Sequence, residues 1–201
     1  RARVGESSLA PRWLLWRQPF RSNARPDWLG GEGVLEAHGK RGVVFIHGFV
    51  CNRGFWNPWM TQLQKTGHPF AAVNLEPVFG SISDYIPEIE AAVVRVTQAT
   101  GLPPLVICHS MGGLAVRAWL RASHRAGQPD SRLHHVITIG SPHHGTWLSR
   151  FAFSANGEEM RRQGQWLQQL AQDGNQPVRR TRHAAAIDDC ELPTVAGCIQ
   201  N

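Results

Sequence analysis

The sequence has no apolar run of about 18 residues or more, so no segment of it is expected to cross a bilayer as a helix. It also lacks a recognisable signal peptide, internal repeats and low-complexity tracts. With 201 residues, 42% of them hydrophobic, the chain is long and apolar enough to bury a substantial core. We expect a soluble or membrane-peripheral protein, with an anchor conceivable in a segment preceding Arg1.

Cysteine is scarce, and its four positions match no metal-binding pattern: Cys51, Cys108, Cys190 and Cys198. There is no Cys-x-x-Cys pair and no Cys/His spacing typical of a zinc site. No metal or organic cofactor is therefore expected. Cys190 and Cys198 are close enough in sequence to form a disulfide, but the sequence does not settle their state or fix a compartment.

Lysine is almost absent, so arginine supplies nearly all the positive charge behind a formal net charge of +6. Basic clusters lie at 161–162 and 179–182. No nucleic-acid-binding motif accompanies them, which argues against a nucleic-acid partner. We interpret these arginines as a solvated surface.

Apolar segments typical of buried strands alternate with segments of helical periodicity. Asn57 is predicted to cap the first helix, Pro87 lies in the first turn of the second, and Gly101 ends that helix. The alternation predicts a mostly parallel α/β sheet with helices on both faces. Strands are expected at residues 43–46, 71–75, 105–108 and 134–139, and helices at 58–66, 84–99 and 111–122.

The most informative segment is 105–113, in which an apolar strand leads through Cys108-His109 to Ser110 and then to Met111-Gly112-Gly113. A strand followed at once by a serine and a helix presents the serine hydroxyl beyond the end of the sheet. A small residue is needed two positions after the serine, because strand and helix nearly touch there, and Gly112 meets that need. The alternative is an ordinary serine in a βα loop.

Two further loops follow predicted strands: His47-Gly48-Phe49 and Gly140-Ser141-Pro142-His143-His144-Gly145-Thr146. Together with 108–113, and in this order, they resemble bacterial lipases and esterases of the α/β-hydrolase fold. The resemblance covers roughly residues 40 to 170. It implies the fold and the serine-hydrolase class, and does not specify the substrate.

The resemblance implies that Ser110 is the nucleophile and that the backbone N–H groups of Phe49 and Met111 form the oxyanion hole. The expected substrate is a small-molecule or lipid carboxylic ester with an apolar acyl part. Acyl transfer and thioester hydrolysis use the same groups and stay open as alternatives. Apolar residues expected near the mouth are Phe49, Val50, Phe55 and Trp56, with a place in the core as the equal alternative for these four.

The base and acid of a catalytic triad are less evident. His47 is interpreted as shaping its loop, and His143 and His144 as polar loop residues. In this fold the order along the chain is serine, acid, histidine, which Asp173 and His183 preserve, although no convincing strand precedes either. We therefore expect a shortened hydrolase that lacks the C-terminal part carrying the acid and histidine. A non-catalytic remnant or binding module is the alternative.

The predicted domains are an N-terminal arm at 1–40 and a hydrolase domain at 41–201. The arm contains Trp13-Leu14-Leu15-Trp16, for which packing on the sheet edge and contact with a membrane are the two interpretations. Residues 147–175 lie where this fold often carries a lid, and an ordinary surface helix is the alternative. The oligomeric state stays open.

Overall fold

The computed structural model describes residues 24–30, 37, 39–147, 149 and 153–173. Its centre is a parallel sheet in the order β2-β1-β3-β4, so the predicted parallel α/β sheet is confirmed. The strands are β1 (Val43–Ile46), β2 (Phe70–Ala72), β3 (Leu105–His109) and β4 (His135–Ile139). The helices are α1 (Asn57–Thr66), α2 (Ile86–Thr100), α3 (Gly112–Arg125), α4 (Ala155–Glu159) and α5 (Gln165–Asp173).

The second strand is shorter than the predicted 71–75. Val73 still donates its N–H to the Phe45 carbonyl at 3.1 Å, but the N–H of Leu75 donates to Nε2 of His47 at 3.0 Å. Because that imidazole replaces a carbonyl of β1, the chain leaves the sheet at this point. The contact joins residues 28 positions apart, which the local pattern does not encode.

The start of α1 also differs from the prediction. Trp56 occupies the cap position, and Asn57 is already helical. The Asn57 side chain accepts a hydrogen bond from the Arg25 N–H at 3.1 Å instead of capping the helix. The expectations for α2 are confirmed, since Pro87 lies in its first turn and Gly101 ends it at a φ of 71°.

Helices cover both faces of the sheet, as predicted. On one face, α2, α3 and α5 pack over side chains such as Val44, Val106 and Cys108. On the other face, α1 packs over Phe45, whose ring stacks on Trp56 at 4.9 Å. Trp56 is 1% exposed, so of its two interpretations, mouth or core, the structure selects the core. Its indole fills the core beneath α1.

The two edges of the sheet differ. At β2, Trp28 forms an antiparallel bridge with Phe70 through two hydrogen bonds, and Asp27 accepts the Ala72 N–H at 3.0 Å. Within the described ranges, no strand pairs with the outer edge of β4. Ile137 and Ile139 of β4 are 46% and 39% exposed, because the apolar cluster under α1 extends across the sheet only as far as β3, at Ile107.

Several predictions concern other parts of the chain. The Trp13–Trp16 segment, His183, Cys190 and Cys198 lie outside the described residues. The division into arm and domain and the lid at 147–175 stay predictions. Met160, Leu167 and Leu170 of that segment are buried in the main core, and none of the described helices has the length and apolarity needed to span a membrane.

Candidate active site

Ser110 connects the end of β3 to the start of α3. Its N–H donates to the Ile139 carbonyl at 2.9 Å, and its own carbonyl accepts the Gly113 N–H at 3.1 Å. Its φ is 50°, a left-handed value that costs a residue with a side chain roughly 1 to 2 kcal/mol. The surrounding contacts therefore hold this serine in a conformation that its backbone alone disfavours.

Two glycines allow the neighbouring segments to approach this turn. A β-carbon on Gly112 would lie 2.6 Å from the His47 carbonyl oxygen and 2.7 Å from that of Ile46. A β-carbon on Gly48 would lie 2.9 Å from Cβ of Ser110. The predicted need for a small residue at Gly112 is thus confirmed, and the loop after β1 lies directly against the serine.

Cys108, two residues before Ser110, is fully buried. Burial raises the pKa of its thiol well above the ordinary value, so the thiol stays protonated. Because the thiolate is the reactive form of cysteine, Cys108 is a packing residue in this turn. Ser110 itself is only half-buried in this turn.

Two backbone N–H groups lie in the segments beside Ser110. One belongs to Phe49, next to Gly48, and the other to Met111, which precedes the first residue of α3. Neither N–H has a hydrogen-bond partner within the described part of the chain. Unpaired N–H groups beside a serine, one of them at a helix N-terminus, suit a negatively charged oxygen.

His47 is 2% exposed and its ring is fully occupied. Nδ1 donates to the Gly48 carbonyl at 2.8 Å, and Nε2 accepts the Leu75 N–H at 3.0 Å. Burial is the main reason that its pKa falls to about 4, so the ring is neutral near pH 7. His47 therefore ties the loop after β1 to the loop after β2, which agrees with a structural role.

The other histidines near the turn have different partners. His109 stacks on Phe55 at 4.7 Å, and burial lowers its pKa. Nε2 of His143 lies 3.1 Å from the Thr138 hydroxyl, and burial followed by the Arg117 charge lowers its pKa. Among the residues that the structure describes, no imidazole hydrogen bonds to the Ser110 hydroxyl.

Of the two triad candidates from the sequence, only the backbone of Asp173 falls within the described residues. Asp173 is the last residue of α5, and its side chain is not described. His183 lies outside the described residues. Within those residues no group of three or more His, Cys, Asp or Glu side chains is arranged to hold a metal.

The structure adds one contact at the site that the sequence did not indicate. The ring of Phe79, in the loop after β2, packs edge-to-face on Phe49 with centroids 6.0 Å apart. Thirty residues separate the two in sequence, and no motif marks the pair. The loop after β2 therefore borders the loop that carries the Phe49 N–H.

A family model described as the alpha/beta hydrolase family matches residues 43–196. The match includes all four strands and both motif loops, and it extends over Asp173 and His183. No curated protein compared with the chain matches it.

Solved structures of three enzymes share the fold. The mature lipase BlEst2 of Bacillus licheniformis is 20% identical, with a TM-score of 0.58, covering 77% of this chain and 65% of that one. Phospholipase PlaB of Legionella pneumophila is 18% identical, with a TM-score of 0.55, covering 67% and 35%. Lipase B of Aspergillus fumigatus is 16% identical, with a TM-score of 0.56, covering 70% and 36%. The chain spans less than two thirds of each.

Proposed function

Because this chain belongs to the alpha/beta hydrolase family, we propose that it hydrolyses carboxylic esters through an acyl-enzyme on Ser110. The observation that carries the proposal is the conformation of Ser110 itself. Ser110 is held at a φ of 50° between a strand and a helix, beside two backbone N–H groups that have no partner among the described residues. Because such a conformation costs free energy, it is typical of residues that a function requires in that position.

In the proposed reaction, the Ser110 oxygen attacks the ester carbonyl carbon while a base removes the hydroxyl proton. The carbonyl oxygen becomes negative and is held by the N–H groups of Phe49 and Met111. The carbon–oxygen bond to the alcohol then breaks, and the alcohol leaves with the proton. Water repeats the sequence on the acyl-serine and releases the acid.

Within this sequence the proposed base is His183, oriented by Asp173, because these two residues preserve the order expected after Ser110. An acid and a histidine in a C-terminal part outside this sequence are the alternative that the expected shortened hydrolase implies. His47 and His143 are weaker candidates, since both ring nitrogens of His47 are occupied and Nε2 of His143 lies against the Thr138 hydroxyl. His183→Ala is expected to abolish turnover, and His143→Ala is the matched control that is expected to retain it.

Apolar side chains beside the site favour an ester substrate with an apolar acyl part. Phe49 is half-buried beside Ser110, and Phe55 packs on the ring of His109. A series of nitrophenyl esters of increasing acyl length tests this preference directly. Rates that fall steadily from acetate to longer chains would contradict an apolar acyl site.

The decisive experiment is covalent labelling of the chain by a fluorophosphonate probe. Labelling is expected for the native chain and for Ser141→Ala, and its loss is expected for Ser110→Ala. Ser141 is the matched control because it also follows a strand at this edge of the sheet. Labelling that persists in folded Ser110→Ala would show that another residue is the nucleophile.

A non-catalytic binding module is the second candidate. The observation that favours it is the absence of an imidazole on the Ser110 hydroxyl within the described residues. A native chain that is folded by circular dichroism and unreactive toward the probe would support this candidate over hydrolysis. Slow labelling that His183→Ala removes would support the hydrolase.

A further inference from the structure

Residues 48–52, which we call the β1 loop, carry the Phe49 N–H and have few contacts of their own. Among the described residues, a single backbone hydrogen bond closes this loop, from the Cys51 N–H to the Gly48 carbonyl at 3.3 Å. Val50 has a φ of 54°, a left-handed value that a β-branched residue strongly disfavours. Because Val50 directly follows Phe49, relaxation of its backbone would displace that N–H. The position of the donor therefore depends on how the two ends of the loop are held.

The two ends of the β1 loop are anchored differently. At its start, the His47 ring bonds to the loop after β2. At its end, Arg53 begins a short 3-10 helix that runs to Trp56. The Arg53 N–H donates to the Asn74 side chain at 2.9 Å, and its guanidinium pairs with the carboxylate of Asp27. The second anchor thus reaches a residue that lies well before β1 in the chain.

Asp27 is contacted by three groups from different parts of the chain. One carboxylate oxygen accepts from the Arg53 guanidinium and, at 3.0 Å, from the Ala72 N–H at the end of β2. The other oxygen accepts from the Arg95 guanidinium of α2 at 3.1 Å. The side chains of Asp27 and Arg53 are each 20% exposed, whereas that of Arg95 is 42% exposed. The pair of Asp27 with Arg53 is therefore the one that is largely shielded from water.

The backbone beside Asp27 is fixed to the sheet. The Trp28 N–H donates to the Phe70 carbonyl at 3.0 Å, and the Phe70 N–H donates to the Trp28 carbonyl at 2.7 Å. Because β2 is paired with β1, this bridge gives Asp27 a fixed position relative to the strand that leads into the β1 loop. The family match begins at residue 43 and so does not cover Asp27.

We propose that Asp27 is a positioning residue that acts through Arg53 to hold the Phe49 N–H where the oxyanion develops. This inference rests on the proposed function, because that function assigns the Phe49 N–H to the oxyanion hole. Loss of the ion pair would release the end of the β1 loop and let Val50 relax, so the donor would be displaced. A fixed donor stabilises the transition state more than the bound ester, so the effect is expected on kcat.

Hydrolysis of a nitrophenyl ester by Asp27→Asn tests the proposal. Asparagine keeps the size of aspartate and an oxygen for the Ala72 N–H, but it lacks the charge that pairs with Arg53. We expect kcat to fall about tenfold while KM changes by less than about twofold, because the donor is displaced and not removed. A pair that only stabilised the fold would lower the free energy of unfolding and leave kcat of the folded chain unchanged.

Arg95→Gln is the matched control, because Arg95 pairs with the other oxygen of the same carboxylate from α2. It is expected to keep the native kcat. Arg53→Gln is expected to reproduce the effect of Asp27→Asn, and the double variant should be no slower than either single variant, since the two residues act as one pair. Circular dichroism and thermal unfolding establish that each variant is folded.

Amide hydrogen exchange, measured by mass spectrometry, reports on the β1 loop independently of turnover. Hydrogen-bonded N–H groups at this end of the loop belong to Cys51, Arg53 and Gly54. We expect the peptide covering residues 48–55 to exchange about tenfold faster in Asp27→Asn than in the native chain, because local opening becomes easier. The same peptide is expected to exchange at the native rate in Arg95→Gln.

Three results would overturn the proposal. The first is equal exchange of the β1 loop in the native chain and Asp27→Asn. The second is a native kcat in Asp27→Asn although its loop exchanges faster. The third is additive losses of kcat in the double variant, which would show that Asp27 does not act through Arg53. Faster loop exchange in Asp27→Asn, combined with a native chain that neither hydrolyses the ester nor reacts with the fluorophosphonate probe, would instead refute the proposed function and confirm the Asp27 anchor.

Discussion

The backbone N–H of Ser110 donates to the carbonyl of Ile139 at 2.9 Å, and this bond ties the proposed nucleophile to the last residue of β4. The position of the serine thus depends on the neighbouring strand as well as on its own. Because β4 is the edge strand of the described sheet, changes at that edge are transmitted directly to the turn that holds Ser110.

The left-handed backbone of Ser110 predicts an unusual order of stabilities. Glycine adopts a φ of 50° without strain, whereas alanine keeps the strain of serine. We expect Ser110→Gly to exceed Ser110→Ala in free energy of unfolding by up to about 1 kcal/mol, the reverse of the usual order. Urea unfolding measures both. A more stable alanine variant would show that the turn is not strained.

The two glycines at the start of α3 predict different responses to an added methyl group. In Gly112→Ala, the added methyl group would clash with the backbone carbonyls of Ile46 and His47, which cannot rotate away. We expect a loss of about 2 kcal/mol in stability and a fall in labelling of Ser110, because α3 must shift. Urea unfolding and probe labelling report the two effects.

Gly113→Ala is the companion variant, since its β-carbon would lie 2.2 Å from Oγ of Ser141. That obstacle is a side chain, so Ser141→Gly in the same chain is expected to restore most of the stability. The same second substitution should not rescue Gly112→Ala. Rescue of both variants, or of neither, would contradict the assigned contacts.

The proposed oxyanion hole predicts a specific effect of proline at Met111. The φ of Met111 is −53°, which proline adopts, and its N–H precedes the helix and has no partner among the described residues. Met111→Pro removes that N–H and is expected to slow labelling by a hundredfold or more relative to Met111→Ala, about the effect of one lost donor. Equal labelling rates in folded variants would exclude Met111 as a donor.

The buried His47 predicts that stability falls in acid. Its pKa is about 4 in the folded chain against an ordinary 6.5, so the unfolded chain takes up the proton first. The contribution is complete above about pH 6.5 and is lost as the pH falls toward 4, amounting to at most about 3 kcal/mol. Urea unfolding between pH 7 and 4 measures the slope.

His47→Gln is the informative control for that slope, because an amide can replace the acceptor that Leu75 uses and does not titrate. This variant is expected to be less stable at pH 7 but to lose less stability in acid. A slope equal to that of the native chain would assign the acid sensitivity to other groups, such as His109 and His143, whose pKa values burial also lowers.

Much of the site followed from local pattern. Apolar runs predicted the four strands, and a serine directly after one of them predicted its place at the carboxyl edge, where the ends of parallel strands meet. Gly112 was predicted to be small because a strand and the helix after it converge at that turn, which is a steric rule independent of the rest of the chain.

The sequence by itself therefore determined the alternation of strands and helices, the turn at Ser110 and the glycine beside it, because these depend on neighbours within a few residues. Only the tertiary structure decided three contacts. The Arg25 N–H donates to the side chain of Asn57, the Leu75 N–H donates to the His47 ring just after β2, and Phe79 packs on Phe49. Each of these contacts joins residues about thirty positions apart. Such pairings depend on how the loops pack at the sheet edge, and hydrophobic periodicity does not predict them.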